Sequence, residues 1–289
     1  MQRHALKLLS AFTLFALTLT VSVPKVHAQL VSLDYPNAFE TDANDVNNNG
    51  VIVGFWVDTS GVDHGFTRIA GTLSSYDVPG SIGTLLYGVS LTHAVGWYTD
   101  SNGVTHGFTV TPAGKVTTID PPGTTMTNAW SMNSSGTVVG AYTDSNGAYH
   151  GFTLANGKYT SFDAPGGSIL TEITGINDEG AISGIFDDST GVEHGFIQYK
   201  GKFNQIDYPV NGVAATATDR VNVNGEYVGL YGTSTSGPFS GYHAKNGVYS
   251  TITFPGSFET RTRGLNDKGV VVGRYTDQNG VIHGYYGVP

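Results

Sequence analysis

The chain has 289 residues, a formal charge of −9 and no cysteine. Its fold therefore rests on no disulfide, and its acidic balance argues against nucleic acid, whose phosphates need a basic surface. The 40 Gly, with frequent Thr, Ser, Val and Tyr and few runs of Ala, Leu, Glu or Lys, disfavour helices and point to an all-β class.

The first element in chain order is an export signal. Arg3 and Lys7 precede an apolar run over 8–23, and Val26, His27 and Ala28 form a small-residue cleavage site, so residues 1–28 read as a secretory signal peptide. The run is too short for a spanning helix, which needs about 20 apolar residues. The mature chain is expected to begin at Gln29 and to be secreted or periplasmic. With no Cys to accept a lipid it is expected not to be a lipoprotein, and residues 284–289 offer no membrane anchor. Without 1–28, 11 basic residues face 23 acidic ones, a formal charge of −12.

Residues 29–289 repeat. A Thr recurs at Thr41, Thr84, Thr127, Thr171, Thr216 and Thr260, in steps of 43 to 45 residues, a period that signals a repeat architecture. The fourth copy resolves into four short strands, ILTEITGIN, AISGIFDD, VEHGFIQY and KFNQIDYP. Asn-x-x-Gly turns join the first strand to the second, starting at Asn47, Asn133, Asn177, Asn222 and Asn266. The second copy has Ser90-Leu91-Thr92-His93 instead and is one residue shorter. Asp-x-x-Gly turns join the second strand to the third at Asp58, Asp100, Asp144 and Asp277, with one added residue expected between Asp187 and Gly191. A Pro closes each fourth strand, at Pro36, Pro79, Pro122, Pro165, Pro209 and Pro255, where the missing donor stops the ladder.

From Gln29 onward the chain starts with a lone fourth strand and ends with a copy that lacks one. The two halves complete each other. The expected fold is a six-bladed β-propeller of four-stranded blades over 29–289, closed by the N-terminal strand completing the last blade. Second strands carry Gly54, Gly96, Gly140, Gly184, Gly229 and Gly273, each followed two residues later by an aromatic ring such as Trp56 or Tyr142. These rings are expected to bed over glycines of both hairpin strands, Gly151 among them, with the Phe of each third strand on the opposite face.

Repeats such as TGINDEGAISGIFDDSTGVEHGF resemble the bacterial extracellular HAF-repeat family, named for a His-Ala-Phe motif. Here the motif reads His-Gly-Phe at His64, His106, His150 and His194 and His-Gly-Tyr at His283, so the namesake Ala is replaced throughout. The resemblance spans 29–289 and implies secretion and a propeller architecture, with no established activity.

The five His invite a metal reading that geometry opposes, because ring-related strands hold them too far apart for ligand bonds of about 2 Å. A local pairing is expected instead. The fifth copy replaces His with Ser240 and the turn Asp with Thr233 and Ser234, and this joint loss links His and turn Asp in one hydrogen-bonded unit. No cofactor is expected. The Asp-x-Asn-Gly turns resemble fragments of calcium loops but lack the longer acidic ligand set that calcium needs.

A binding site needs only some copies to differ. One and three residues beyond the recurring Thr, the pairs are Asp42 and Asn44, Leu85 and Tyr87, Asn128 and Trp130, Glu172 and Thr174, Ala217 and Asp219, Arg261 and Arg263. These positions vary in every copy at the mouth of the first strands. The candidate ligand-binding face is therefore Asp42, Asn44, Tyr87, Asn128, Trp130, Glu172, Asp219, Arg261 and Arg263, with Tyr87 and Trp130 as stacking platforms. The bland reading is a solvated rim, with Arg261 or Arg263 meeting Asp42 across the closure seam. The leading functional reading is a secreted binding or scaffolding module for extracellular or cell-surface polysaccharide or protein. Two others stand beside it: a carbohydrate hydrolase or lyase using Glu172 with Asp42 or Asp219, and a purely structural envelope or matrix protein.

Overall fold

The hairpin turns fix the register of every repeat. In the third, Asp144 Oδ1 accepts from the Asn146 and Ala148 amides, while Gly147, at φ 83°, closes the turn onto the Asp144 carbonyl. This pairs Tyr142 with His150, Ala141 with Gly151 and Gly140 with Phe152. Directly paired residues share a sheet face. The expected arrangement is therefore off by one residue: the Tyr142 ring lies beside His150, at 5.3 Å, and the Phe152 ring lies over Gly140, where a Cβ would collide with both that ring and the Asn128 carbonyl. Gly151 faces the other way. In the fourth repeat the turn begins at Asp188, which accepts from the Thr190 and Val192 amides, and Asp187 ends the strand, so no residue is inserted.

The computed structural model describes residues 25–26, 29–166 and 168–289. The expected signal peptide lies outside them, apart from Lys25–Val26, a short strand parallel to Val248–Ile252. Among the described residues there is no helix. The inner strands are Glu40–Val46, Gly83–Val89, Met126–Met132, Leu170–Ile176, Ala215–Val221 and Glu259–Leu265. Each starts a run of antiparallel pairings with the second, third and fourth strands of its repeat, and single parallel bridges, Tyr149 to Leu170 and Glu193 to Ala215, join repeats three, four and five. The sixth repeat takes its fourth strand from Gln29–Leu33, which pairs with Ile282–Val288.

The core lies between repeats. Leu33 and Val272 of the sixth pack with Ala43, Val46 and Phe66 of the first, Val53 and Val78 of the first with Leu86 and Phe108 of the second, and Val228 and Ile252 of the fifth with Leu265 and Tyr285 of the sixth. The recurring Thr has a physical role here. Its buried hydroxyl accepts the amide of the residue before the Pro, as Thr41 does from Tyr35 and Thr260 from Phe254, pinning the crossing between repeats. At Thr127 the equivalent residue is Pro121, which has no amide to donate.

The turn asparagines do more than turn the chain. Their side-chain amides donate to the next repeat's carbonyl, Asn133 to Asn177, Asn177 to Asn222, Asn222 to Asn266, Asn266 to Asn47 and Asn47 to Ser90. The girdle returns to its start and is interrupted after Ser90, the copy with the shortened turn. On the outer side each His is bracketed by two carboxylates. His64, His106, His150, His194 and His283 face Asp77, Asp120, Asp163, Asp207 and Asp34 at 2.6 to 3.0 Å through Nδ1, and the turn Asp at 3.5 to 3.9 Å through Nε2. The expected His and turn Asp unit thus has a nearer third member.

Candidate functional site

The variable face is built on a defect repeated six times. Each inner strand skips one residue in its pairing with the second strand, and the skipped residue is Asn44, Tyr87, Trp130, Thr174, Asp219 or Arg263. A bulge frees that residue from the ladder and re-aims its side chain. One of the two variable positions is thus the one the backbone sets loose.

Just past the bulge of the fifth repeat, Arg220 spans the axis. Its Nη2 donates to the Tyr87 carbonyl at 2.8 Å and the Trp130 carbonyl at 3.1 Å, and its Nη1 donates to the Asp219 carbonyl at 3.0 Å and to that of Thr174. Its Nε stands 3.3 Å from Asp45 Oδ1. One guanidinium therefore ties the first five repeats together. Asp45 and Arg220 also line a small axial pocket of about 100 Å³ ringed by the girdle asparagines.

A larger cavity of about 360 Å³ opens at the head of the inner strands of repeats three to six, lined by Trp130, Glu172, Glu193, Asp219, Arg261 and Arg263 with Ile185, Leu230 and Phe239. Thr235 and Ser236, from the loop after the second strand of repeat five, form part of its rim. Five expected residues are brought together in it: Trp130, Glu172, Asp219, Arg261 and Arg263.

The other expected residues serve elsewhere. Asp42, 1% exposed, faces Arg274 at 3.4 Å, and Arg274 also holds Glu40. The seam contact is thus made by Arg274, while Arg263 engages Asp219 at 3.4 Å and Arg261 engages Glu259 at 2.6 Å. Asn44 donates to the Leu86 carbonyl. Tyr87 is no free platform, because Trp97 stacks on it at 4.0 Å and Trp130 meets it edge-on at 4.6 Å. Asn128 keeps a buried Oδ1 with no protein partner and does not line the cavity.

The electrostatics of the cavity are strained. Burial, then repulsion from Glu193 and Asp219, pushes the Glu172 carboxyl up to about 7 against the pull of Arg263 and a Tyr149 hydrogen bond. Glu193 is also pushed up to about 7, by burial, Asp187 and Asp219. Burial raises Asp219 as well, opposed by Arg263 and Arg220. Three buried polar atoms of the lining, Trp130 Nε1, Asp219 Oδ2 and Arg263 Nε, have no hydrogen-bond partner in the protein. Among the described residues no cluster of three or more His, Asp or Glu is placed to hold a metal.

Glu193, Arg274, Ile185 and Leu230 lie outside the expected set, yet the criterion of variation between copies also marks them. The residue before the third-strand His varies as Asp63, Thr105, Tyr149, Glu193, Phe239 and Ile282. The residue after the second-strand Gly varies as Phe55, Trp97, Ala141, Ile185, Leu230 and Arg274.

No family model and no curated protein matches this chain. Solved structures do. A mutant of AofleA from Arthrobotrys oligospora is similar at 13% identity and a TM-score of 0.55, over 90% of this chain and 87% of that one. A mutant of the Aleuria aurantia lectin in complex with Fucα1-6GlcNAc is similar at 9% identity and 0.53, over 89% and 93%. The β-propeller domain of the trilobed protease from Pyrococcus furiosus is similar at 8% and 0.51, over 86% and 95%. The fold is a β-propeller. At these identities the likeness carries the fold and not the chemistry.

Proposed function

We propose that this chain is a secreted six-bladed β-propeller of the HAF-repeat type, closed by the 29–33 strand, and that it binds extracellular or cell-surface polysaccharide in the cavity at the head of its inner strands. One observation carries the reading: the cavity wall sets the Trp130 indole and the apolar Leu230 and Phe239 beside the carboxyls of Glu172 and Glu193 and the guanidinium groups of Arg261 and Arg263. Sugars supply hydroxyls on one edge and C–H surface on a face, matching this mixture of groups. The volume lies within the range of small-molecule sites, about 300–1,000 Å³.

The lectin among the structural neighbours shows that this fold can carry a saccharide, which is support by analogy. The hydrolase reading is weaker, since Asp42 is held by Arg274 outside the cavity and Asp219 by Arg263. A glycan array on the full chain is the test. Binding is expected, and Trp130→Ala, which removes the indole from the wall, should weaken it about tenfold, the worth of roughly 1.4 kcal/mol. An array with no binder would remove the reading.

A further inference from the structure

Two carboxyls of the cavity stand outside its ion pairs. Arg263 faces Asp219 and Arg261 faces Glu259, so both guanidinium groups of the wall are already engaged. Among the described residues no Lys, Arg or His nitrogen lies within 4.0 Å of Glu172 or Glu193. The lining thus holds three carboxyl groups, those of Glu172, Glu193 and Asp219, beside Arg263 and an Arg261 that is engaged by Glu259 from outside the lining. Asp219, only 4% exposed, adds an unpartnered Oδ2 in the same wall.

We propose that the cavity takes an amino sugar, with its ammonium group seated between Glu172 and Glu193 and its ring against Trp130. This rests on the polysaccharide reading above and narrows it to a ligand class. A neutral or N-acetylated sugar leaves the two glutamates repelling each other, whereas an ammonium neutralises the excess and gives both a charge-assisted hydrogen bond. The indole face adds a cation–π contribution.

The charged and titratable groups around the pair are Asp187, Asp219, Arg261, Arg263 and Tyr149. Burial, with repulsion from Glu193 and Asp219 on Glu172 and from Asp187 and Asp219 on Glu193, holds both glutamates near 7, so at neutral pH part of the pair is protonated without a cation. Seating an ammonium expels that proton. Affinity should therefore rise as pH rises through about 7, until the ligand amine itself loses its charge.

The test is calorimetric titration of the full chain with a β-1,4-linked glucosamine disaccharide, its N-acetylated form and butane-1,4-diamine, in buffers of different ionisation enthalpy. The amino disaccharide should bind at least tenfold tighter than the acetylated one, with proton release. Glu193→Gln and Glu172→Gln should each shrink that ratio toward one, with melting temperatures equal to or above that of the unaltered chain. Equal affinity for the two disaccharides, or a ratio untouched by both variants, overturns the amino-sugar assignment while glycan binding stands. Diamine binding as tight as the amino disaccharide overturns the sugar part of the assignment. Failure of both disaccharides, together with an empty glycan array, removes the polysaccharide reading along with this one.

Discussion

Arg220 joins four carbonyls and one carboxylate from the first five repeats, at 5% exposure. Removing one partner of a buried ion pair leaves the other charged and desolvated, at about 3–5 kcal/mol. Arg220→Met should accordingly lower the melting temperature by on the order of 10 °C. Adding Asp45→Asn should cost less than the sum of the two single changes, because both break one network. A scanning-calorimetry melt of Arg220→Met within a degree or two of the unaltered chain would show that the axis does not depend on it. Arg220 is hidden in the sequence for a physical reason. Strict alternation along the inner strand points only to the first and third positions beyond the Thr, and a bulge present in all six copies leaves the repeat spacing unchanged, so periodicity cannot reveal it. The cavity residues at the bulge and at the first variable position were legible because side-chain variation is visible where backbone irregularity is not.

The hairpin is the element whose chemistry repeats most faithfully, and it sets how the protein responds to acid. Backbone amides of Val62, Val104, Ala148, Val192 and Val281, with hydroxyl or amide donors beside them, hold the turn carboxyls of Asp58, Asp100, Asp144, Asp188 and Asp277 below the usual range. At Asp188 the Thr190 hydroxyl leads. A carboxyl depressed by folding adds stability above its unfolded pKa, about 3.9, and loses it as pH falls through the folded value. Glu172 and Glu193 act in the opposite sense. Their folded values of about 7 exceed the unfolded 4.3 or so, so their contribution is complete below that value and is lost as pH rises toward 7. The two trends place the stability maximum at about pH 4–5. Thermal melts from pH 2 to 8 should show that maximum, with Glu193→Gln flattening the neutral side and Asp144→Asn flattening the acid side; a maximum at pH 7 or above would contradict it. The turns are readable from Asp-x-x-Gly, and the outer-strand Asp carries a quieter mark. Its signal was present: Asp34, Asp77, Asp120, Asp163 and Asp207 each lie two residues before a recurring Pro, and the fifth copy, already lacking His and turn Asp, has Thr253 there.

At the level of the whole molecule, the six-fold repetition and the lone first strand were legible because strand number and turn spacing are sequence properties. The interfaces between repeats were only partly so, since the asparagine girdle acts through side chains whose partners lie one full repeat away. The girdle contact from Asn266 to Asn47, the Asp267 and Asn48 side-chain pair at 2.6 Å and the packing of Leu33 against Ala43 and Phe66 all converge on the junction of first and last repeats. Gln29–Leu33 supplies the outermost strand there, so deleting residues 29–36 should expose the edge of Ile282–Val288 and strip Leu33 and Tyr35 from the adjoining core. The register offers a sharper experiment than the deletion alone. Gln29 pairs with Val288 and Leu30 with Gly287, which is the geometry of a hairpin whose turn is missing. A permuted chain that starts at Asn37 and carries residues 29–36 after Pro289 through a short Asn-Gly turn should therefore fold to the same structure and melt near the parent. The deletion should melt far lower and associate on size-exclusion chromatography. If the permuted chain were as unstable as the deletion, the pairing of 29–33 with the last repeat would not be what closes the molecule.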